Sequence, residues 1–202
     1  MLLCLSASHK TASFDLLERL SVHTDSVARS IAEHSECVQG AVVVATCNRF
    51  EAYVDMDEPV TAASALGVEA ALLAVEAATG VAAHELDGAY ELYTGDGVAE
   101  HLFSIASGLE SVVVGEGEIA GQVRRALDAA RREGVTTAPL EHLFQRATET
   151  SRAVKNSTKL GESGRSLVRL AVELAGSRLG SWEEARVLLV GTGRYAAASL
   201  AA

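Results

Sequence analysis

A small α/β sandwich is the fold class this sequence predicts, and three observations carry it. A β-branched apolar run, Gly40 to Thr46, turns back at once into Glu51-Ala52-Tyr53-Val54-Asp55-Met56, which alternates polar and apolar at the strand period. Several longer stretches place apolar residues at helical spacing and carry capping residues at their ends. With 202 residues, 49% of them hydrophobic, the chain is long enough to bury a real core. Strands interleaved with helices call for a sheet with helices packed on it.

In chain order, Leu2 to Ser8 reads as a first strand, followed by a loop at His9-Lys10-Thr11-Ala12-Ser13. Phe14 to Leu20 reads as helix, and Thr24 or Asp25 can cap a second helix reaching about Ser35. Gly40 to Thr46 and Glu51 to Met56 form a hairpin whose tip carries Cys47. Thr61 to Thr79 is rich in Ala and Leu and ends at Gly80, so it reads as helix; Ala89 to Tyr93 reads as a short strand. From Gly97, Val98, Leu102, Ile105 and Leu109 recur at helical period and leave His101 beside the apolar stripe. A Gly- and acid-rich segment, Gly115-Glu116-Gly117-Glu118, leads into a helix with Ile119, Val123, Leu127 and Ala130 on one face. That helix has an acid at its start, Arg131-Arg132 at its end, and Gly134 as its stop. Pro139 opens another helix through Leu143, Phe144, Ala147 and Val154, and helical spacing resumes from Ser166 to Leu179. Arg186 to Val190 reads as a last strand.

Composition excludes some classes. No apolar run approaches the roughly 18 residues that span a bilayer. The start lacks the basic flank of a signal peptide. Three cysteines without metal-ligand spacing (Cys4, Cys37, Cys47) form no disulfide framework, so a reduced, cytoplasmic setting and no metal are expected. The net charge of −10 argues against a polyanionic partner until its distribution is considered. Between Arg29 and Arg124 the only Lys or Arg is Arg49, whereas bases are plentiful from Arg124 onward. Such asymmetry permits a local nucleic-acid contact on an acidic protein, and solvated helix faces account for it equally well.

Two motifs carry chemistry. At Thr46-Cys47-Asn48-Arg49 a buried strand delivers a thiol, an amide and a guanidinium into one turn. The thiolate is the reactive form of cysteine, and Arg49 could either stabilise it or clamp a substrate carboxylate through its forked donors. His101 is a candidate proton shuttle; it could equally be a packing histidine. The second motif, Gly191-Thr192-Gly193-Arg194-Tyr195-Ala196, is G-x-G-x-x-A after a strand and before an Ala-rich helical start, the pattern of a dinucleotide pyrophosphate site.

Together these residues resemble the glutamyl-tRNA reductase family. Ser8-His9-Lys10-Thr11-Ala12 is similar to its N-H-K-T-A segment, and Thr46-Cys47-Asn48-Arg49-Phe50-Glu51 to its T-C-N-R-T-E nucleophile motif. Ser107 to Val123 resembles S-G-L-D-S-x-V-x-G-E-x-Q-I-x-G-Q-V. The chain departs from the family at Ser8, Phe50, Gly117, Glu118 and Arg165. The resemblance implies a ferredoxin-like catalytic α/β domain at residues 1–138, a helical connector at 139–180, and the truncated start of an NADPH-binding Rossmann domain at 181–202. It further implies NADPH-dependent reduction of glutamyl-tRNA(Glu) to glutamate-1-semialdehyde through a thioester on Cys47, the first step of the five-carbon route to tetrapyrroles (porphyrin biosynthesis). His101 would move the proton; Thr46, Asn48, Arg49, Ser111, Glu116, Gly117, Glu118 and Gln122 would form the glutamate pocket; Gly191 to Ala196 would begin the NADPH loop. A homodimer of the full-length protein and contact with the downstream semialdehyde aminotransferase are implied as well, and this shortened chain is expected to lack the hydride-transfer step. The rival readings are a non-catalytic tRNA-binding or regulatory relative and a plain NAD(P)-binding dehydrogenase with a structural Cys47.

Overall fold

The computed structural model describes residues 1–22, 24–57, 60–112, 114–115, 118–158, 167–179 and 181–190. Its elements run β1 (Leu2–Ser8), α1 (Phe14–Leu20), α2 (Thr24–His34), β2 (Val38–Thr46), β3 (Arg49–Met56), α3 (Val60–Thr79), β4 (Glu91–Thr94), α4 (Asp96–Ala106), α5 (Glu118–Glu133), α6 (Ala138–Ser157) and α7 (Leu167–Arg178). The strands form one sheet in the order β2-β3-β1-β4, every neighbouring pair antiparallel.

Both faces of this sheet are covered, and strand alternation assigns each side chain to one of two cores. Leu3, Leu5, Ala7, Ala41, Val43, Phe50, Ala52, Val54 and Met56 pack with α1, α2 and α3. Cys4, Val42, Val44 and Tyr53 face the other way, against α4, α5 and α6, where the Tyr53 ring meets Phe144 edge-on at 5.1 Å. Alternating polar and apolar residues from Glu51 to Met56 are the pattern of a strand with one face in water. All eight residues of β3 are instead buried, because α4 to α6 close over its polar face.

Local signals place most helix ends where the sequence does. The Ser13 hydroxyl accepts the Leu16 N–H at the start of α1, and Thr137 caps α6 with Pro139 in its first turn. Gly134, at φ +70°, stops α5. Helix α4 ends at Ala106 rather than Leu109, since Gly108 at φ +77° turns the chain and the Leu109 N–H returns to the Ser104 carbonyl. The last expected strand, Arg186 to Val190, is not formed. Val187, Leu188 and Val190 are exposed, and among the described residues no strand lies beside them to take their backbone hydrogen bonds.

Candidate functional site

The β2–β3 register pairs Thr46 with Arg49, which leaves Cys47 and Asn48 as a two-residue turn. The Thr46 hydroxyl accepts the Asn48 N–H at 3.2 Å, and the Asn48 carbonyl accepts the His9 N–H at 3.0 Å. The turn is thereby held from within and from the end of β1. Cys47 at its tip is exposed to solvent, while Cys4 is buried and Cys37 half-buried.

Behind the turn, the face of the sheet toward α4 carries a polar network centred on Glu51. The strand period sets Arg49, Glu51 and Tyr53 on that face, and the β1–β3 register sets Cys4, Ser6 and Ser8 beside them. Glu51 is fully buried. One of its oxygens accepts from Arg49 Nη1 at 3.0 Å and from the Ser6 hydroxyl at 3.1 Å. The other lies 2.8 Å from His101 Nε2 and accepts from the Cys4 thiol and the Tyr53 hydroxyl at 3.5 Å. Arg49, itself 3% exposed, donates through its second terminal nitrogen to the Glu110 carbonyl. Two nitrogens of its fork are therefore engaged inside the protein. A carboxylate facing Nε2 selects the tautomer that carries its proton there, so Nδ1 is the unprotonated nitrogen of neutral His101. The His101 ring stacks on Tyr93 at 3.9 Å and 15°, and the Tyr93 hydroxyl donates to Glu91 at 2.8 Å.

Burial pushes the Cys4 thiol and the Tyr53 phenol well above their ordinary ranges, with the Glu51 charge adding to each shift. Both stay protonated as donors. His9 is lowered, first by burial and then by the Arg49 and Lys10 charges, and its Nδ1 is buried without a partner among the described residues. Glu110 is lowered by the hydrogen bond from Lys10.

This network forms the wall of a cavity of about 390 Å³ lined by Arg49, His101, Ser6, Lys10, Tyr93 and Glu110, among others. The fold thus brings two of the predicted residues, Arg49 and His101, into one cavity, with Cys47 on the turn two residues from Arg49. Gln122 lines a different groove, between α5 and the edge strand β2. Ser111 is half-buried after α4, and Glu118 is the first residue of α5. Glu116, Gly117 and the whole of Gly191 to Ala196 lie outside the described residues. Sequence reasoning did not single out Glu51, Ser6, Tyr93 or Glu110 as site residues. For Glu51 a signal was present: two residues after Arg49 in a strand is the same face. Cys4, Glu51 and His101 place one ligand atom each within 4.8 Å of one another; they are already joined by the hydrogen bonds above.

The family model for the glutamyl-tRNA(Glu) reductase N-terminal domain matches residues 5–158. Among curated relatives, glutamyl-tRNA reductase of Clavibacter michiganensis is 60% identical over 202 residues, covering 100% of this chain and 46% of the relative. That of Tropheryma whipplei is 42% identical over 205 residues, covering 100% of this chain and 45% of the relative. The solved glutamyl-tRNA reductase of Methanopyrus kandleri superposes with a TM-score of 0.69 at 31% identity, over 99% of this chain and 46% of that one. The chain therefore spans a little under half the length of the relatives it matches. A model covering most of the chain and identity running its full length show that it belongs to the glutamyl-tRNA reductase family, of which it forms the N-terminal part.

Proposed function

We propose that the protein containing this chain reduces glutamyl-tRNA(Glu) to glutamate-1-semialdehyde with NADPH, through a thioester on Cys47, at the entry to tetrapyrrole synthesis. The observation that carries this reading is the exposed Cys47 on a braced two-residue turn, two residues from the Arg49 that lines one cavity with His101. The Cys47 thiolate attacks the ester carbonyl that joins glutamate to the tRNA 3′ end. A C–S bond forms, the C–O bond breaks, and the tRNA leaves as its free hydroxyl, taking one proton. His101 suits the relay of that proton: the Glu51 carboxylate holds its Nε2–H, and the Tyr93 ring fixes its plane. Its unprotonated Nδ1 is the nitrogen that takes the proton the Cys47 thiol gives up and passes it to the leaving oxygen. Arg49 has donors remaining beyond those engaged with Glu51 and Glu110, and it lines the cavity where a substrate carboxylate would sit. Thr46, Asn48, Ser111, Glu116, Gly117 and Glu118 complete the proposed glutamate pocket; Gln122, which family likeness adds to that set, lines the separate groove between α5 and β2.

Gly191, Thr192, Gly193, Arg194, Tyr195 and Ala196 would hold NADPH, which when bound supplies the hydride; their fit rests on the strand-glycine-helix pattern of the sequence. The succession β1-(α1, α2)-β2-β3-α3-β4 with its all-antiparallel order supports a ferredoxin-like domain. We retain the division at residues 138 and 180, a homodimer, and the semialdehyde aminotransferase as partner, all by family likeness. Three free cysteines favour the cytoplasm, and no helix of the described residues is long and apolar enough to cross a membrane.

Thioester trapping tests the proposal. Acid-quenched gels of the full-length protein with labelled glutamyl-tRNA are expected to show an adduct on the parent and none on Cys47→Ser, whose hydroxyl lacks a thiolate's nucleophilicity at neutral pH. Equal labelling of the variant would reject Cys47 as nucleophile. An unlabelled parent would favour a non-catalytic tRNA-binding relative.

A further inference from the structure

The groove that holds Gln122 lies on the opposite side of β2 from the network of Glu51, and it has a composition of its own. Its volume is about 350 Å³. The floor is the outer edge of β2 at Val43 and Ala45, the wall is formed by Ala126 and Ala129 of α5, and the rim carries the exposed Arg125 and Arg132.

Three features of this groove point the same way. The first is its position. The Ala41 N–H donates at 2.8 Å to the carbonyl of Val135, just beyond the C-terminal end of α5. Helix α5 thus runs antiparallel to β2, and its early residues lie toward Ala45. Ala45 is two residues from Cys47, about 7 Å at the strand rise. The Arg125 guanidinium folds back over Gly121, with Nη1 3.4 Å from where a Cβ would stand, and so leans toward the nucleophile end of the groove. The second is the floor. Ala41 points its N–H outward and β2 is an edge strand, so at period two the backbone donors and acceptors of Val43 and Ala45 also face outward, with no strand beyond them among the described residues. The third is charge. Glu133 at the far end is paired with Arg29, so Arg125 and Arg132 set the sign of the rim. From Glu51 to Glu118 the chain has no Lys or Arg, whereas α5 carries four arginines, Arg124, Arg125, Arg131 and Arg132.

We propose that this groove binds the 3′-terminal adenosine of the tRNA, with its 5′ phosphate and that of the preceding nucleotide on Arg125 and Arg132. The inference rests on the thioester reading above. If the ester carbonyl is at Cys47, the ribose that carries it and the attached base must lie within one nucleotide of that sulfur, and this groove begins there. Alanine walls leave room for a planar base, the strand edge offers it alternating hydrogen-bond groups, and arginines pair with phosphates.

The test uses full-length protein and three glutamyl donors: glutamyl-tRNA, 3′-O-glutamyladenosine, and a nucleoside-free glutamyl thioester, each followed by single-turnover acylation of Cys47. The double variant Arg125→Glu/Arg132→Glu is expected to lose at least tenfold in kcat/KM on glutamyl-tRNA. Its salt dependence should become shallower, by about 0.7 in log–log slope for each single-strand phosphate that is no longer neutralised. It should keep the parent rate on the nucleoside-free thioester. Ala126→Phe, which fills the wall, should raise KM for 3′-O-glutamyladenosine and leave the thioester rate alone. An unchanged rate and salt slope on glutamyl-tRNA would overturn the proposal and leave the edge open to an extended peptide. Equal loss on all three donors would also overturn it, since that marks damage to the nucleophile turn. No acylation of the parent by any donor would overturn the thioester reading itself, and the groove with it.

Discussion

Replacing Glu51 by Gln removes one charge and almost no volume, yet five donor groups converge on that carboxylate. Arg49 and Ser6 reach one oxygen; His101, Cys4 and Tyr53 reach the other. A glutamine keeps one acceptor and turns an NH2 donor toward either set. Facing Arg49, it sets donor against donor and strands a guanidinium that is 3% exposed. Facing His101, it forces the ring to accept at Nε2 and reverses the tautomer. Breaking a buried ion pair from one side costs about 3–5 kcal/mol, because the remaining charge stays buried without its partner. In urea, with a slope of about 2–3 kcal/mol/M, that lowers the unfolding midpoint by roughly 1–2.5 M. The assay is equilibrium urea denaturation of the parent, Glu51→Gln, Glu51→Leu, Arg49→Met, and the Arg49→Met/Glu51→Leu pair. The double variant should recover much of the loss, since it removes both charges from the interior. A loss below about 1 kcal/mol for Glu51→Gln, or strict additivity in the double variant, would refute the picture of a desolvated, mutually dependent pair.

Other expectations follow from neighbouring geometry. Arg49→Lys in the full-length protein should weaken glutamate recognition by about 1–3 kcal/mol, because an ammonium cannot serve Glu51, the Glu110 carbonyl and a substrate carboxylate at once; unchanged discrimination between glutamyl- and glutaminyl-tRNA would reject the clamp. His9 gives a pH dependence of known sign. Its folded pKa is lowered, so the unfolded chain takes up the proton first as pH falls. The stability it contributes is therefore full above about pH 6.5 and declines as pH drops toward the lowered folded value. His9→Gln should flatten that decline between pH 7.5 and 5.5 in paired urea melts, and equal slopes would count against it. Gly40→Ala should destabilise by about 1–3 kcal/mol, since an added Cβ would stand 2.5 Å from the Val135 carbonyl oxygen and 2.8 Å from Thr137 Cγ2. A thermal midpoint lowered by a few to about ten degrees is the readout, and an unshifted midpoint would show that the loop at Val135 yields freely.

What the sequence determined by itself is local. The β-branched run ending in Thr46-Cys47-Asn48 placed the nucleophile turn, because strand propensity and a tight turn act over a few residues. Pro139 and Gly134 marked helix ends through signals that depend on immediate neighbours alone. The spaced motifs around Cys47 and from Ser107 to Val123 carried the family, because their order survives without knowledge of the fold. Tertiary structure decided what each face meets. Alternation places Glu51 on one side of β3, but only the closure of α4 to α6 makes that side dry and turns its charge into the hub of the site. His101 reaches Glu51 across 50 residues of chain, and Ser6 across 45, through helix packing and strand register that no short window contains. Gln122 parts from Arg49 because α5 lies along the outer edge of β2 while the network lies under its neighbour. The Arg186 to Val190 run has strand composition and forms no strand, since a strand is completed by the hydrogen bonds of a partner, and pairing is a property of the whole fold.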